Sequence, residues 1–236
     1  VLYLDYETDE DTMWERTNMI AMGLALSIPE GLFYRYMHQP LAADIQQINR
    51  VVLDKGIEFI IVDSAAPAVL EPESASMTAE YFRALRSLRT TSLTIAHVAK
   101  NAKDATPFGS TFWRNLPRAN YRVQASRELE HVVVGLKQTK SNNSRRVHDL
   151  GFRFEFEPDR VVIEQASVVD DPVLSRGLPL RERITSALRH GDKTVEALSE
   201  DLEEDIASLR TTLHRGKNAK QPVFTQNPSG RWGLLL

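Results

Sequence analysis

The run IEFIIVDS at residues 57–64 is apolar on both faces of any strand it forms, and it runs into a carboxylate at Asp63. A strand that buries both faces belongs inside a parallel sheet, because a one-sided antiparallel sheet shows alternation instead. The surrounding sequence keeps the rhythm this requires. VLYLDY (1–6) is a second buried-type strand, and a helical pattern carrying Trp14, Met19 and Ile20 runs from about residue 10 to residue 27. LFYRYMH (32–38) is a strand, and LAADIQQINRVVLDKG (41–56) is a helix closed by Gly56. A helix over about 75–89 and a strand TSLTIAH (91–97) complete the series. The alternation predicts a doubly wound α/β sheet with right-handed crossovers, whose ligands lie beyond the carboxyl ends of its strands.

After residue 98 the rhythm changes. VAKNAKDATPFGSTFWRNLP is a polar loop with no helical period, and loops of that length in compact domains are usually either functional or disordered. NYRVQAS, HVVVGLKQT, LGFRFEFE and RVVIEQAS follow as four strand-like runs without intervening helices, which predicts an antiparallel extension of the same sheet. DDPVLSRGLP (170–179) reads as a linker between a core of residues 1–169 and a small module of residues 180–236. In that module LRERITSALRHG, TVEALSEDL with Thr194 as cap, and DIASLRTTLHRG with Asp205 as cap are three helices. Two short strands around the turn NPSG follow, giving the order of a winged helix-turn-helix.

Composition narrows the function classes. The longest apolar stretch, MIAMGLALSI, is half of the roughly 20 residues a bilayer crossing needs, so no membrane span is predicted. The absence of cysteine removes disulfides, thiolate catalysis and cysteine-ligated metal sites, and fits a cytoplasmic location. The opening on a strand-like run without a signal sequence predicts that residues precede Val1. The net charge of −3 conceals a segregation: residues 1–99 hold 7 basic and 14 acidic residues, whereas 100–148 hold 10 basic and 3 acidic. A local excess of +7 is a candidate phosphate-binding surface or a solvated basic face.

Two carboxylates sit where a ligand of such a sheet would lie. Asp63 can hold Mg²⁺ directly or through water, since that ion keeps several waters and shares the rest of its shell with phosphates. Glu7, after the strand VLYLD, can polarise an attacking water, with Asp5 as competitor on the same strand face. In the C-terminal module the third helix would present Ser208, Arg210, Thr211, His214 and Arg215, with Arg231 and Trp232 on the wing, to duplex DNA or to a protein partner.

VLYLDYE, IIVDSAAP and TIAHVAKN, followed by a long loop with PFGS, resemble successive core strands of the RecA-like ATPases. The resemblance covers residues 1–166 and is nearest to the hexameric replicative helicases of the RepA/DnaB-like type from phage, plasmids and mobile elements. It implies ATP and Mg²⁺ as cofactors, with Asp63 as the Walker B carboxylate, Glu7 as the water-activating glutamate, and Ser64 beside them at the nucleotide. His97 corresponds to the residue that senses the γ-phosphate. The segment 98–117 corresponds to a loop facing single-stranded DNA, with Lys100, Lys103 and Arg114 for phosphates and with Phe108, Phe112 and Trp113 either as stacking groups or as an aromatic cluster packed under a lid. Lys140 in KQTKSNN matches a cation reaching the neighbouring subunit's nucleotide, with Arg118, Arg145 and Arg146 as further candidates, although the fuller Lys-x-Arg pattern is absent.

In that family a G-x-x-x-x-G-K-[ST] loop cradles the phosphates, and none occurs in these 236 residues. The loop is therefore expected upstream of Val1. The implied activity is an ATP-driven, DNA-acting motor that assembles as a homo-oligomeric ring or filament in replication or recombination. The alternative is a non-catalytic DNA-binding or loading adaptor on the same scaffold.

Overall fold

The computed structural model describes residues 1–98, 107–127, 131–143, 145 and 147–235. By internal contacts the chain divides into two units: Val1–Arg122 with Lys137–His148 and Phe154–Ile163, and Val123–Leu136 with Asp149–Arg153 and Glu164–Leu236.

In the first unit the strands β1 (Leu2–Asp5), β2 (Phe33–Tyr36), β3 (Phe59–Asp63) and β4 (Thr91–Ile95) form a parallel sheet in the order β2-β1-β3-β4. Helices α1 (Glu10–Gly23), α2 (Ile45–Asp54) and α3 (Ala75–Ser87) connect them. One face, carrying Leu2, Leu4, Ile60 and Val62, is closed by Ile48, Val52, Tyr81, Phe82 and Leu85 from α2 and α3. Thr94 belongs to this face, where its hydroxyl meets that of Tyr81 at 2.8 Å. The opposite face carries Tyr3 and Tyr34, stacked with centroids 6.4 Å apart, under α1. The helices start where short polar side chains can take orphan amides: Asp9 accepts from Thr12 N and Ser74 from Met77 N.

Beyond β4 the segment predicted as a loop holds, among the described residues, one short helical turn, α4 (Phe112–Asn115). The four later runs, β5 (Ala119–Arg127), β6 (His131–Ser141), β7 (Leu150–Phe156) and β8 (Val161–Ala166), make a second sheet in the order β5-β6-β7-β8. This corrects the expected extension, since among the described residues no strand pairs with the outer edge of β4. The reason lies in the connections: three to eight residues between successive runs close hairpins locally, and only an antiparallel arrangement permits that.

In the second unit, a short helix α5 (Pro172–Ser175) occupies the expected linker, because Asp171 accepts from Val173 N and Leu174 N. Helices α6 (Leu180–Arg189), α7 (Val195–Leu202) and α8 (Ile206–Lys217) and the antiparallel pair β9 (Phe224–Gln226) and β10 (Trp232–Leu234) follow. Thr194 and Asp205 cap α7 and α8 as their sequence predicts. Ile184, Leu198, Leu209, Leu213, Phe224 and Trp232 form a closed core. Trp232 is thus interior and not on an exposed wing, because its ring fills the space beside α8. A Cβ at Gly216 would stand 2.3 Å from the Phe224 ring, so that position needs glycine for close approach.

Leu4 is fully buried, whereas Leu93 on β4 is 47% exposed. Leu4→Ala should lower unfolding free energy by about 2–5 kcal/mol and Leu93→Ala by much less, as read by urea denaturation. Equal losses would show that the β4 face is covered.

Candidate functional site

The level ends of β1 and β3 put Asp5 in register with Asp63, and Asp63 with Ile95 on β4. Asp5 is buried and fully engaged: its Oδ1 accepts from Glu7 N at 2.9 Å and Thr8 N at 3.0 Å. Its Oδ2 accepts from Thr8 Oγ1 at 2.6 Å and the Tyr34 hydroxyl at 3.2 Å. Burial pushes the carboxyl upward, but the Thr8 hydroxyl, the two amides and Tyr34 outweigh it and hold Asp5 below its ordinary value. Asp5 therefore shapes the turn, and the same turn projects Glu7 outward.

Glu7 Oε1 accepts a short hydrogen bond from the Ser64 hydroxyl and lies 3.1 Å from His97 Nε2. Residues from the ends of β1, β3 and β4 thus converge on one oxygen, while Oε2 has no partner among the described residues. The Ser64 hydroxyl, opposed by partial burial and reinforced by His97, holds Glu7 below the usual carboxylate range. Asp63 Oδ2 accepts from the Tyr3 hydroxyl at 2.6 Å. Burial first, then this bond and the Asp63 charge, push the Tyr3 hydroxyl well above the ordinary phenol value. Burial and Asp5 push Tyr34 up to about 12. Both tyrosines therefore stay neutral donors to carboxylates. Strand alternation and register are the signals that would have found them, as Tyr3 and Asp5 share a face and Tyr34 pairs with Tyr3.

The loop after His97 is stitched to this centre. Val98 bridges Pro107 in antiparallel fashion, and Phe108 N donates to His97 O at 2.8 Å. Gly109 has φ +109°, and a Cβ there would stand 2.3 Å from Pro72 O, which accepts from Ser110 N and Trp113 Nε1. Trp113 is buried against Tyr81 and Phe82, so of its two readings it takes the packed one and not the stacking one; Phe108 is exposed. Lys100 and Lys103 lie outside the described residues.

Arg114 is exposed on α4. Lys140 does not join the carboxylate cluster: its Nζ donates to Asn115 O and Pro117 O at 2.7 Å each and to Arg114 O at 3.3 Å. In the second unit Arg210 and Arg215 are exposed on α8, and Arg210 lies 3.6 Å from Glu196 of α7.

No group of three or more metal-type side chains occurs among the described residues. A Mg²⁺ held mainly by phosphates and water needs only one or two carboxylates, and Asp63, with Oδ1 carrying no hydrogen bond among the described residues, fits that demand.

No family model and no curated protein matches the sequence. Among solved structures, a KaiC-like protein from the hyperthermophilic archaeon Pyrococcus horikoshii superposes with a TM-score of 0.50 at 12% identity, covering 69% of this chain and 74% of that chain. At that identity the likeness is one of fold, and it supports a RecA-like arrangement of strands and helices. No helix among the described residues is long and apolar enough to cross a membrane.

Asp5 and Glu7 titrate lower in the folded chain than in the unfolded chain. Their contribution to stability is therefore complete above the ordinary carboxylate range and is lost as pH falls through their folded values. Ser64→Ala should move the Glu7 titration, followed by carboxyl ¹³C NMR, back up toward the ordinary value; an unmoved titration would remove Ser64 as its cause. Gly109→Ala, combining positive φ with a clash against backbone, should cost on the order of 1–3 kcal/mol in thermal or denaturant unfolding. A neutral substitution would mean that the loop does not need this conformation.

Proposed function

We propose that this chain belongs to an ATP-hydrolysing, RecA-fold protein that couples hydrolysis to DNA binding. The observation that carries the reading is the Glu7 carboxylate, held through Oε1 by Ser64 and His97 while Oε2 stays open, beside Asp63 at the level strand ends. Glu7 is ionised at neutral pH and, with its lowered pKa, is a modest base. Its role is to accept a hydrogen bond from the attacking water and fix its line of approach, as phosphoryl transfer requires. Mg²⁺, when bound, supplies charge neutralisation at the phosphates. Asp63, oriented by Tyr3, would hold the ion or one of its waters.

Among the described residues no strand pairs with the outer edge of β4, and this edge suits the strand that would carry a phosphate loop. The outer edge of β4 carries neither charge nor proline, which edge strands normally use for protection, and Leu93 and Ile95 are 47% and 38% exposed. Connections running from β2 toward β4 place α2 and α3 on one face, and the reverse connection from β1 to β2 places α1 on the other. A further strand on the β4 edge leading back to β1 would, by right-handedness, lay its helix over Leu93 and Ile95. The loop between that strand and helix would open beside Glu7 and Asp63.

DNA coupling rests on the bond from Phe108 N to His97 O, which links the Glu7 cluster to the 98–117 segment. In the second unit, the Lys193–Trp232 bridge adds a third extended element to β9–β10, as a winged helix has, and α8 is its candidate duplex-reading helix.

In the full-length protein, Glu7→Gln should lower ATP turnover by about 10²–10⁴-fold while nucleotide binding persists. Turnover at the wild-type rate would exclude Glu7 from the reaction, and absence of Mg·ATP affinity in the wild type would favour the adaptor reading.

A further inference from the structure

Five consecutive backbone carbonyls, 114–118, are captured by groups from outside their own turn. Arg114 O accepts from Asn120 Nδ2 at 3.0 Å, Leu116 O from Arg86 Nη2 at 3.0 Å, and Arg118 O from Asn142 N at 2.9 Å. Lys140 Nζ takes Asn115 O and Pro117 O and makes a longer contact to Arg114 O, so all three ammonium protons are used. Carbonyls at the end of α4 otherwise have no intrahelical donor and carry the negative end of its dipole, which suits a cation. Meanwhile the side chains of Arg114 and Arg118, four residues apart on this turn, are exposed and have no protein partner among the described residues.

We infer that Lys140 is a positioning residue and not a phosphate contact: it locks the 114–118 turn on β6 so that Arg114 and Arg118 are presented together to nucleic-acid phosphates. The partner named here rests on the DNA-coupled reading above, whereas the clamp does not. The chemistry of the cation decides between the two roles. An ammonium directs three donors tetrahedrally and can gather three carbonyls around a point, but a planar guanidinium cannot. Arginine would serve a phosphate at least as well as lysine, so Lys140→Arg separates a clamp from a phosphate-binding cation.

The test uses the full-length protein, with hydrogen-exchange mass spectrometry over peptides spanning 110–120 and binding of a fluorescein-labelled oligo-dT across a salt series. Lys140→Met and Lys140→Arg should each accelerate amide exchange there by about tenfold and weaken oligo-dT binding. The double variant Arg114→Gln, Arg118→Gln should weaken binding and reduce the salt slope by roughly 2, with exchange in this segment unchanged. Wild-type exchange in Lys140→Arg together with retained binding would overturn the clamp. Accelerated exchange with undiminished binding would overturn the claim that the clamp aims the arginines. A wild-type protein with no affinity for oligo-dT would instead defeat the DNA-coupled reading, and with it the partner, while the exchange data report on the clamp separately.

Discussion

Everything at the candidate centre depends on the register of the parallel sheet. Asp5, Asp63 and Ile95 are matched across β1, β3 and β4, so the chain leaves all three strands at the same height. Glu7, Ser64 and His97 then meet although they are separated by up to 90 positions in sequence. Sliding one strand by a single residue would turn its side chains to the opposite face and dissolve the cluster. The buried surface of Leu2, Leu4, Ile60 and Val62 against α2 and α3 is what prevents that slip.

Within that frame the acidic groups divide their work by environment. Asp5 is buried and saturated with donors, so it shapes the turn after β1. Glu7 is half-tethered, with one oxygen anchored by Ser64 and His97, and this leaves it directional yet open. Asp63 is aimed by a tyrosine that burial keeps neutral. The connection from His97 to Phe108 is made by backbone, so any displacement of the histidine main chain is felt at the start of the loop that ends in Arg114.

The same logic separates anchoring from presentation in the loop. Trp113 reaches into the Tyr81 and Phe82 cluster and donates to Pro72 O, while Gly109 lets the chain pass that same carbonyl. These contacts fix the returning end, and Lys140 and Arg86 secure the turn after it. In the second unit α6–α8, β9 and β10 enclose a core of their own, with the buried Arg183 answered by Glu204 at 2.5 Å.

Periodicity alone determined the strand and helix alternation of residues 1–95, the caps at Thr194 and Asp205, and the placement of Asp63 and Glu7 at strand ends, because these follow from local pattern and from which faces must be buried. Tertiary structure decided what pattern cannot carry. Residues β5–β8 became a separate sheet, because short hairpins pair locally without regard to an open edge elsewhere. Trp113 and Trp232 became core, since an aromatic ring in a polar stretch reads the same whether it stacks on a ligand or on its own fold. Lys140 became a carbonyl clamp, since a lysine's acceptors are set by which backbone lies within reach of its stem, a distance that exists only after folding.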